Sequence, residues 1–176
     1  AISAPYGGMT FVPTGGIIEK NRMDYLSFPK VRAAGGSWMV PGDAVKAKDW
    51  NRVTELTRQA VKVMLGLKLE HIGINSGSPE KALADAKALC ALTGLALKEG
   101  NSSVFAGSEY ECMKKAGRGA NGHIALSTPN LMRAKWHLEQ RGVEFDEDSL
   151  TVRDGRPAIV YMKNEIAGFA IHLLQK

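Results

Sequence analysis

The order of apolar and polar positions predicts two kinds of structure along this chain. In the first third, short apolar runs alternate with segments whose apolar residues recur at helical spacing, a pattern typical of βα units with parallel strands. Residues 9–13 and 31–34 are the predicted strands, and residues 19–26 are a predicted short helix. A longer helix of about 15 residues is predicted to end at Leu65, with Asp49 as its N-cap.

From residue 71 onward, the chain repeats one pattern. Each copy starts with a histidine and an apolar run, at His71 and at His123, and continues into a helix. A Ser or Thr N-cap, a Pro at the first helical position and a Gly after the last turn predict the bounds of both helices. These signals are Ser78, Pro79 and Gly94 in the first copy and Thr128, Pro129 and Gly142 in the second.

Strand-like runs are predicted after each helix. They cover residues 95–97, 103–106 and 108–113 in the first copy, and residues 143–145 with 151–152, 158–162 and 168–174 in the second. Each copy is therefore predicted to be a βαβββ module, over about residues 70–118 and 119–176. This pair forms a predicted α+β domain over residues 70–176, preceded by an α/β domain over residues 1–66.

Composition places the chain among globular proteins. Its 176 residues are 44% hydrophobic and 23% charged, which excludes wholesale disorder and collagen-like repeats. No apolar run approaches the roughly 18 to 20 residues that a membrane span needs, so no membrane partner is expected. The two cysteines, Cys90 and Cys112, have neither metal-pair nor redox spacing. Reduced thiols in a cytoplasmic protein are therefore expected.

The net charge of +5 is unevenly distributed. All of the positive surplus lies before residue 70, and the remainder of the chain is neutral. A local surplus favours a small anionic ligand over a nucleic-acid groove that would run along the whole chain. The basic run at residues 114–118 contains no aromatic residue on which a base could stack. No nucleic-acid partner is expected.

Two glycine turns follow the first two predicted strands. Thr14-Gly15-Gly16 closes the first strand, and Gly35-Gly36-Ser37 closes the second. Glycines let backbone N–H groups approach an anion closely, and a helix N-terminus after the turn adds positive charge. Adjacent parallel strands would bring both turns to the same edge. The same glycines also suit ordinary βα turns, so spacing alone leaves both interpretations open.

Four motifs of the first domain occur in a characteristic order: FVPTGGI at residues 11–17, YL at 25–26, GGSW at 35–38 and DW at 49–50. In order and spacing they resemble the C-terminal quarter of the 2-keto-3-deoxy-6-phosphogluconate / 4-hydroxy-2-oxoglutarate (KDPG/KHG) aldolases, which are class I, Schiff-base (β/α)8 TIM barrels. The resemblance implies that residues 1–65 are the last two βα units of such a barrel. It further implies that the substrate phosphate is held by Thr14, Gly15, Gly16, Gly36 and Ser37.

The same resemblance places the Schiff-base lysine and the general-base glutamate on strands that would precede this segment. No lysine of this chain stands in that context, so no catalytic residue is assigned. The chain alone is therefore expected not to cleave a phosphorylated keto acid to pyruvate and an aldehyde such as glyceraldehyde 3-phosphate. The reaction needs no cofactor. A two-strand slice of a barrel leaves edges and apolar faces uncovered. Residues 1–65 are therefore expected to pair with a missing barrel half or to self-associate.

Strand alternation brings four polar residues to one face of the second domain. His71 and His123 alternate with apolar residues in the first strand of each module, and Glu111 and His172 do so in the last strand. Three imidazoles and one carboxylate are a ligand set for a divalent metal ion such as Zn, Ni, Mn or Fe. All four residues are expected on the face opposite the helices, where they form a candidate metal site.

Paired βαβββ modules with ligands at these positions resemble the vicinal-oxygen-chelate superfamily, which includes glyoxalases, bleomycin-resistance proteins and extradiol dioxygenases. His172 departs from the family pattern, where glutamate is common, and this weakens the transfer of glyoxalase chemistry. The superfamily also contains metal-free binding proteins. Three hypotheses for this domain therefore remain open: a metal-dependent enzyme, a metal-free cleft for a small molecule, and a non-catalytic assembly module.

Overall fold

The computed structural model describes residue 4 and residues 6–176. The chain divides into two compact units, Ala1–Gly66 and Leu67–Lys176. Residues 1–3 and 5 of the predicted first domain lie outside the described residues. Across the described part of the chain, no helix combines the length and the apolar character that crossing a membrane requires.

The first unit contains four short or medium helices among its described residues. They are α1, Arg22–Leu26, a 3-10 helix, Ser37–Met39, then α2, Gly42–Ala47, and α3, Trp50–Leu65. The ends of α3 are those that the sequence predicts. The Asp49 side chain accepts a hydrogen bond from the backbone N–H of Arg52, and Gly66 ends the helix in a left-handed conformation.

One helix prediction for this unit is corrected by the structure, and one helix is not predicted. The helix predicted over residues 19–26 begins only at Arg22, because the Asn21 side chain forms a turn before it. That side chain accepts from Ile18 N–H at 2.8 Å and donates to Gly16 O at 3.0 Å. Helix α2 is not predicted, because Pro41-Gly42 is typical of a turn, whereas Pro41 is the N-cap residue of this helix.

The two predicted strands of the first unit lie side by side and run parallel, but little of them is paired. Phe11 and Val31 form an isolated bridge. Phe11 N–H donates to Lys30 O at 2.8 Å, and Arg32 N–H donates to Phe11 O at 3.0 Å. Within the described residues of this unit no regular ladder extends from that bridge. The paired segment is therefore shorter than the predicted runs at 9–13 and 31–34.

The second unit is built on one mixed eight-stranded sheet. Its strands are β1 Lys68–Asn75, β2 Leu97–Glu99, β3 Ser103–Ala106, β4 Tyr110–Met113, β5 Gly122–Thr128, β6 Phe145–Arg153, β7 Arg156–Met162 and β8 Phe169–Gln175. Helix α4, Pro79–Thr93, follows β1, and helix α5, Leu131–Glu139, follows β5. The chain therefore runs βαβββ twice, and the predicted fold class of this half is confirmed.

The strand order shows how the two modules join. It is β2-β3-β4-β1-β5-β8-β7-β6, so the first strands of the two modules are central and pair antiparallel. On its other side, each of these strands pairs in parallel with the last strand of its own module, β1 with β4 and β5 with β8. Each module therefore contributes its first and last strands to the middle of the sheet.

Helix α4 packs on one face of the first module. Its fully buried Ala82 and Ala86 lie in one apolar cluster with Val104 of β3 and Cys112 of β4. Because successive side chains of a strand point to opposite faces, the neighbour of Cys112 in the chain, Glu111, lies on the face away from this helix. Packing of α4 thus determines which face of the sheet carries the polar residues.

The predicted start of helix α5 is wrong by two residues. Thr128 remains in β5, where it pairs with Gln175 of β8, and it does not cap the helix. Asn130 is the N-cap, and its side chain accepts from Arg133 N–H at 2.9 Å. The helix also ends earlier than predicted, with Gln140 rather than Gly142 as its C-cap.

Strand β6 starts at Phe145, the last residue of the predicted run 143–145, and includes the predicted run 151–152. Its register with β7 shifts between Asp146 and Thr151. Such an irregularity interrupts the alternation of inward and outward side chains on which the sequence analysis relies. The strand nevertheless continues through residues 146–150, which the predicted runs leave out.

Candidate functional site

The face of the eight-stranded sheet that carries His71, here called the site face, is crossed by two rows of neighbouring residues. In the first row, Gly73 of β1 lies between Glu111 of β4 and His123 of β5. A Cβ atom at Gly73 would lie 2.0 Å from Cε1 of His123, so the imidazole occupies the space that a side chain would fill. Gly73, which the sequence pattern alone does not single out, therefore leaves the space that the His123 ring occupies.

The second row runs across five strands. It starts at His71 on β1 and continues through Ala125, His172 and Tyr161 to Asp146 on β6. Residues that pair in adjacent strands project to the same face of a sheet. All five side chains are therefore on the site face, with fully buried Ala125 as the small member between two histidines.

Three of the four predicted metal ligands converge at one point. Nε2 of His71 is 3.0 Å from Nε2 of His123. Oε2 of Glu111 is 3.4 Å from the His71 nitrogen and 3.2 Å from the His123 nitrogen. The ligand atoms of these three residues all lie within 4.8 Å of one another. Two imidazole nitrogens and a carboxylate oxygen form a donor set that Zn²⁺ and similar ions accept.

His172, the fourth predicted ligand, lies beside this group of three. Its ring centroid is 5.2 Å from that of His123 and 5.7 Å from that of His71. His172 is only 3% exposed, and neither of its ring nitrogens has a hydrogen-bond partner among the described residues. A buried polar group without a partner costs free energy, which a bound ion or ligand would offset.

Burial keeps two of these histidines neutral. Desolvation lowers the pKa of His71 below its ordinary value, and attraction by the Glu111 carboxylate only partly opposes this effect. Desolvation also lowers the pKa of His172 to about 3, and repulsion from His123 and His71 adds to the change. At neutral pH both imidazoles therefore have an unprotonated nitrogen, as metal coordination requires.

The Glu111 carboxylate is held in its ionised form. Burial alone would raise its pKa, but hydrogen bonds from His123 and Ser103 outweigh burial, and the pKa lies below its ordinary value. Ser103 Oγ donates to Oε1 of Glu111 at 2.7 Å, while Oε2 faces the two histidines. The sequence analysis missed Ser103. Ser103 precedes Val104 in β3, and Val104 packs under α4, so strand alternation could have assigned Ser103 to the site face.

Tyr161 and Arg118 are further site-face residues that the sequence analysis missed. The Tyr161 ring centroid is 4.7 Å from that of His172, and the guanidinium carbon of Arg118 is 4.9 Å from the Tyr161 centroid. Nη1 of Arg118 also donates to Oδ2 of Asp146 at 2.7 Å. Burial raises the pKa of Tyr161 although Arg118 opposes it, so the hydroxyl is protonated at neutral pH. Alternation of Tyr161 with buried Val160 could have revealed it.

In the first unit, the structure brings the two predicted glycine turns together. A Cβ atom at Gly35 would lie 3.0 Å from Cγ2 of Thr14. Gly15 and Gly16 have φ values of +76° and +67°, which glycine adopts without strain. The positive φ values are sufficient to explain why glycine occurs at these two positions, with or without a bound phosphate. Four of the five predicted phosphate residues are exposed and Gly36 is half-buried, the exposed ones being Thr14, Gly15, Gly16 and Ser37.

The predicted contribution of helix N-termini at these turns is not found. Helix α1 does not start directly after the first turn, because the Asn21 turn separates Gly16 from its first residue, Arg22. The helix that starts at Ser37 is a single 3-10 turn. Neither gives the aligned peptide dipoles of a long helix at the turn. Positive potential there must therefore come from backbone N–H groups and side chains.

A buried cation lies next to the second turn. A Cβ atom at Gly36 would lie 2.6 Å from Nε1 of Trp38, so the indole covers this glycine. The guanidinium carbon of Arg22 is 5.2 Å from the Trp38 ring centroid, and the same guanidinium contacts Glu19. Arg22 is 5% exposed, and its Nε has no hydrogen-bond partner in the described part of the chain. Its charge adds to the positive surplus of this unit.

Comparisons with curated proteins match the first unit to one family. Residues 1–56 match the family model for KDPG and KHG aldolase. A 2-dehydro-3-deoxy-phosphogluconate aldolase of Pseudoalteromonas atlantica is 54% identical over 67 residues, which are 38% of this chain and 31% of that protein. The KHG/KDPG aldolase of Escherichia coli K12 is 48% identical over 62 residues, 35% of this chain and 29% of that protein. The chain therefore spans about 30% of the length of these aldolases, and the predicted resemblance is confirmed.

Two solved structures match a larger part of the chain. A hypothetical protein, BH1468 from Bacillus halodurans C-125, has 17% identity and a TM-score of 0.45, covering 62% of this chain and 94% of that chain. A methylmalonyl-CoA epimerase has 16% identity and a TM-score of 0.43, covering 61% of this chain and 93% of that chain.

Proposed function

We propose that residues 1–66 form the phosphate-holding part of a 2-dehydro-3-deoxy-phosphogluconate / 4-hydroxy-2-oxoglutarate aldolase. The observation that carries this proposal is the 54% identity over 67 residues to a curated aldolase. The close approach of Thr14 and Gly35 supports it, because it gathers the backbone N–H groups of both turns. The residues that would hold the phosphate are Thr14, Gly15, Gly16, Gly36 and Ser37.

In this proposal the chain contributes no Schiff-base lysine. Such a lysine becomes nucleophilic at neutral pH only when burial or neighbouring charge activates it. The lysines of the first unit and its boundary lack that burial: Lys30 is half-buried, and Lys20, Lys46, Lys48, Lys62 and Lys68 are exposed. Retro-aldol cleavage of a phosphorylated keto acid would therefore need a lysine that these residues do not supply.

Reduction with borohydride in the presence of pyruvate tests this statement. The expected result is an unchanged intact mass, because no lysine of the chain forms an imine with pyruvate. The Escherichia coli aldolase under the same conditions serves as the positive control. A reduced pyruvate adduct on any lysine of this chain would contradict the proposal.

Removal of two hydroxyl groups tests the phosphate turns. Inorganic phosphate should raise the thermal unfolding midpoint of the unmodified chain, and the double variant Thr14→Val, Ser37→Ala should lose this rise. Thr57→Val is the matched control, since the Thr57 hydroxyl lies on exposed α3 and donates to Val53 O. An equal response to phosphate in the double variant would exclude these hydroxyl groups from the site.

Apolar side chains on the first unit support the proposed association with other aldolase barrel strands or with a second copy. Five large apolar residues in the described part of this unit are more than half exposed. They are Tyr6, Val12, Ile18, Phe28 and Trp50. We propose that residues 1–65 bury these groups in a complete barrel or in a self-associated form.

We propose a second function for the second unit. We infer that it holds a divalent metal centre of the vicinal-oxygen-chelate type. The observation that carries it is the convergence of His71, Glu111 and His123 within 3.0 to 3.4 Å. These three residues would hold the ion, and His172 would complete the set. A divalent ion there would act as a Lewis acid on an oxygen of the substrate.

The state of His172 favours this function over the two metal-free alternatives. A purely structural module gains nothing from a buried imidazole whose two nitrogens lack partners among the described residues. In a metal-free cleft only one of the two facing Nε2 atoms of His71 and His123 can donate, so a single N–H···N hydrogen bond would hold the pair. Coordination of one ion would give a partner to Nε2 of His71, to Nε2 of His123 and to one of the two ring nitrogens of His172.

Zn²⁺ titration by calorimetry tests the metal centre. The chain should bind one Zn²⁺ ion, and His123→Ala should weaken binding by at least about 100-fold, because a direct ligand is lost. His137→Ala, the same substitution on helix α5, should leave the affinity unchanged. If the unmodified chain takes up none of Zn²⁺, Ni²⁺, Mn²⁺ or Fe²⁺, the metal-free alternatives are correct.

A further inference from the structure

We propose that the site face binds a compact diacid, with one acid group at the His71–Glu111–His123 cluster and the other at Arg118. This inference rests on the proposed metal centre and names the chemical class of its ligand. It starts from a cation that the metal centre itself does not use. The guanidinium of Arg118 lies on the same face of the sheet, beside the row that contains His172 and Tyr161.

Two neighbouring side chains hold Arg118 on this face. Its guanidinium stacks on the Tyr161 ring, with 4.9 Å from the carbon to the ring centroid, and Nη1 donates to Asp146 at 2.7 Å. Tyr161 and Asp146 are register partners on β7 and β6, so both project to the site face. The position of the cation is therefore fixed by the sheet and not by the loop on which it lies.

The fixed guanidinium keeps donors for a further acceptor. A guanidinium has five N–H donors, and the ion pair with Asp146 uses Nη1. The Arg118 side chain is 50% exposed, so the other donors are accessible to a solute. Planar, bidentate recognition of a carboxylate is the interaction for which arginine is best suited.

The charge of the metal-ligand set favours an anion at the other end. Three of the four ligands are imidazoles, and Glu111 is the only carboxylate among them. A divalent ion held by this set would keep a net positive charge, whereas two carboxylates would neutralise it. An anionic oxygen is thus attracted to the cluster, and a second anionic group is attracted to Arg118.

The spacing of the strands sets the length of the ligand. Arg118 lies over Tyr161 of β7. Two strand spacings, about 10 Å, separate β7 from β5, and His123 lies a further two residues, about 7 Å, along β5 from Ala125, which is in register with Tyr161. A contact of about 2 to 3 Å at each end leaves room for a short carbon chain between the two acid groups. The diagonal span is about 12 Å, so the geometry favours diacids of about four or five carbons.

Calorimetry on the Zn²⁺-loaded chain tests the inference. Malonate, succinate and glutarate are titrated beside acetate and butyrate. One of the diacids should bind at least tenfold more tightly than either monoacid. Arg118→Gln should remove this preference and leave the Zn²⁺ dissociation constant within twofold of the unmodified value. Arg118→Lys keeps the positive charge but lacks the planar guanidinium, so it should retain only part of the diacid preference.

Arg153→Gln is the matched control, because it removes the same charge from an exposed position at the far end of β6. It should leave the diacid preference intact. Zn²⁺ binding without a diacid preference, or a preference that Arg118→Gln leaves unchanged, would overturn this inference alone. Failure of the unmodified chain to bind Zn²⁺ or any of the other divalent ions would overturn the metal centre and this inference together.

Discussion

Gly73 positions a functional group although it has no side chain of its own. Its place in the sheet between Glu111 and His123 lets the His123 ring lie across the β1 backbone. Glycine is unfavourable within strands, so one in the middle of an apolar run indicates a close approach of another group. The alternation of His71 with isoleucines predicts which face the histidines take, but it does not show this approach.

We therefore expect Gly73→Ala to lower the Zn²⁺ affinity by roughly 10- to 100-fold, as loss of ligand orientation does in other metal sites. The added Cβ would meet His123 at 2.0 Å, and the ring would have to move. Gly117→Ala is the control, since its Cβ would meet only ordinary contacts, the nearest at 3.8 Å. Calorimetry with Zn²⁺ measures both variants.

The same substitution in a His123→Ala background separates positioning from general damage. With the ring removed, Gly73→Ala should stabilise the fold by roughly 0.5 to 1 kcal/mol, because alanine is preferred to glycine within a strand. Urea unfolding measures the change. A clear loss of stability in this background would mean that Gly73 is needed by the backbone and not by His123.

His172 should make the metal-free protein less stable in mild acid. Its pKa is about 3 in the folded chain and 6.5 when unperturbed, so the unfolded state binds the extra proton between these values. Stability contributed by the neutral ring is present above pH 6.5 and is lost as the pH falls through this window, by up to about 1.4 kcal/mol per pH unit. The effect needs no metal.

Urea unfolding in the presence of a chelator at pH 7, 6 and 5 measures this effect, with His172→Gln for comparison. The variant should lose less stability per pH unit than the unmodified chain. The pKa of His71 is also lowered, so His71 contributes to the pH dependence of stability in both proteins. Equal slopes would show that His172 does not titrate in the predicted direction.

Short signals predict the ends of α3 and α4, but not those of α5. Ser78 caps α4 by accepting from Lys81 N–H, and Gly94 ends it, as the sequence indicates. In the second module the equivalent residue, Thr128, is retained by the sheet because β5 pairs with β8 as far as Gln175. A sheet contact between residues distant in sequence thus overrides a local capping signal.

Asn130→Ala should therefore destabilise the second unit by about 1 kcal/mol, the usual effect of losing an N-cap. The lost interaction is the 2.9 Å hydrogen bond from Arg133 N–H to the Asn130 side chain. Asn130→Asp keeps an acceptor at this position and should retain most of the stability. Urea denaturation measures both, and an unchanged midpoint for Asn130→Ala would contradict the assigned cap.

Across the full chain, the two units carry separate chemistry. All strand pairs of the large sheet and all candidate metal ligands belong to Leu67–Lys176. The proposed phosphate turns belong to Ala1–Gly66. Because the hydrogen bonds of the sheet close within the second unit, its stability should not depend on the first.

Deletion of residues 1–66 should leave a folded fragment that binds Zn²⁺ within twofold of the affinity of the full chain. Circular dichroism and calorimetry measure these two properties. Light scattering should show self-association of the full chain and a monomeric fragment, since the fragment lacks the exposed apolar residues of the first unit. An unfolded fragment, or one without Zn²⁺ affinity, would show that the units depend on each other.

Local sequence patterns are sufficient to specify the periodic features of this protein: the two βαβββ modules, the face that carries His71, Glu111, His123 and His172, and the aldolase motifs of the first unit. Alternation and turn chemistry contain that information because they act between residues close in the chain. The neighbours that meet from distant strands emerge only in the folded chain. Gly73 beside His123, Ser103 beside Glu111 and Arg118 over Tyr161 each depend on strand register, which pairing between separate segments sets.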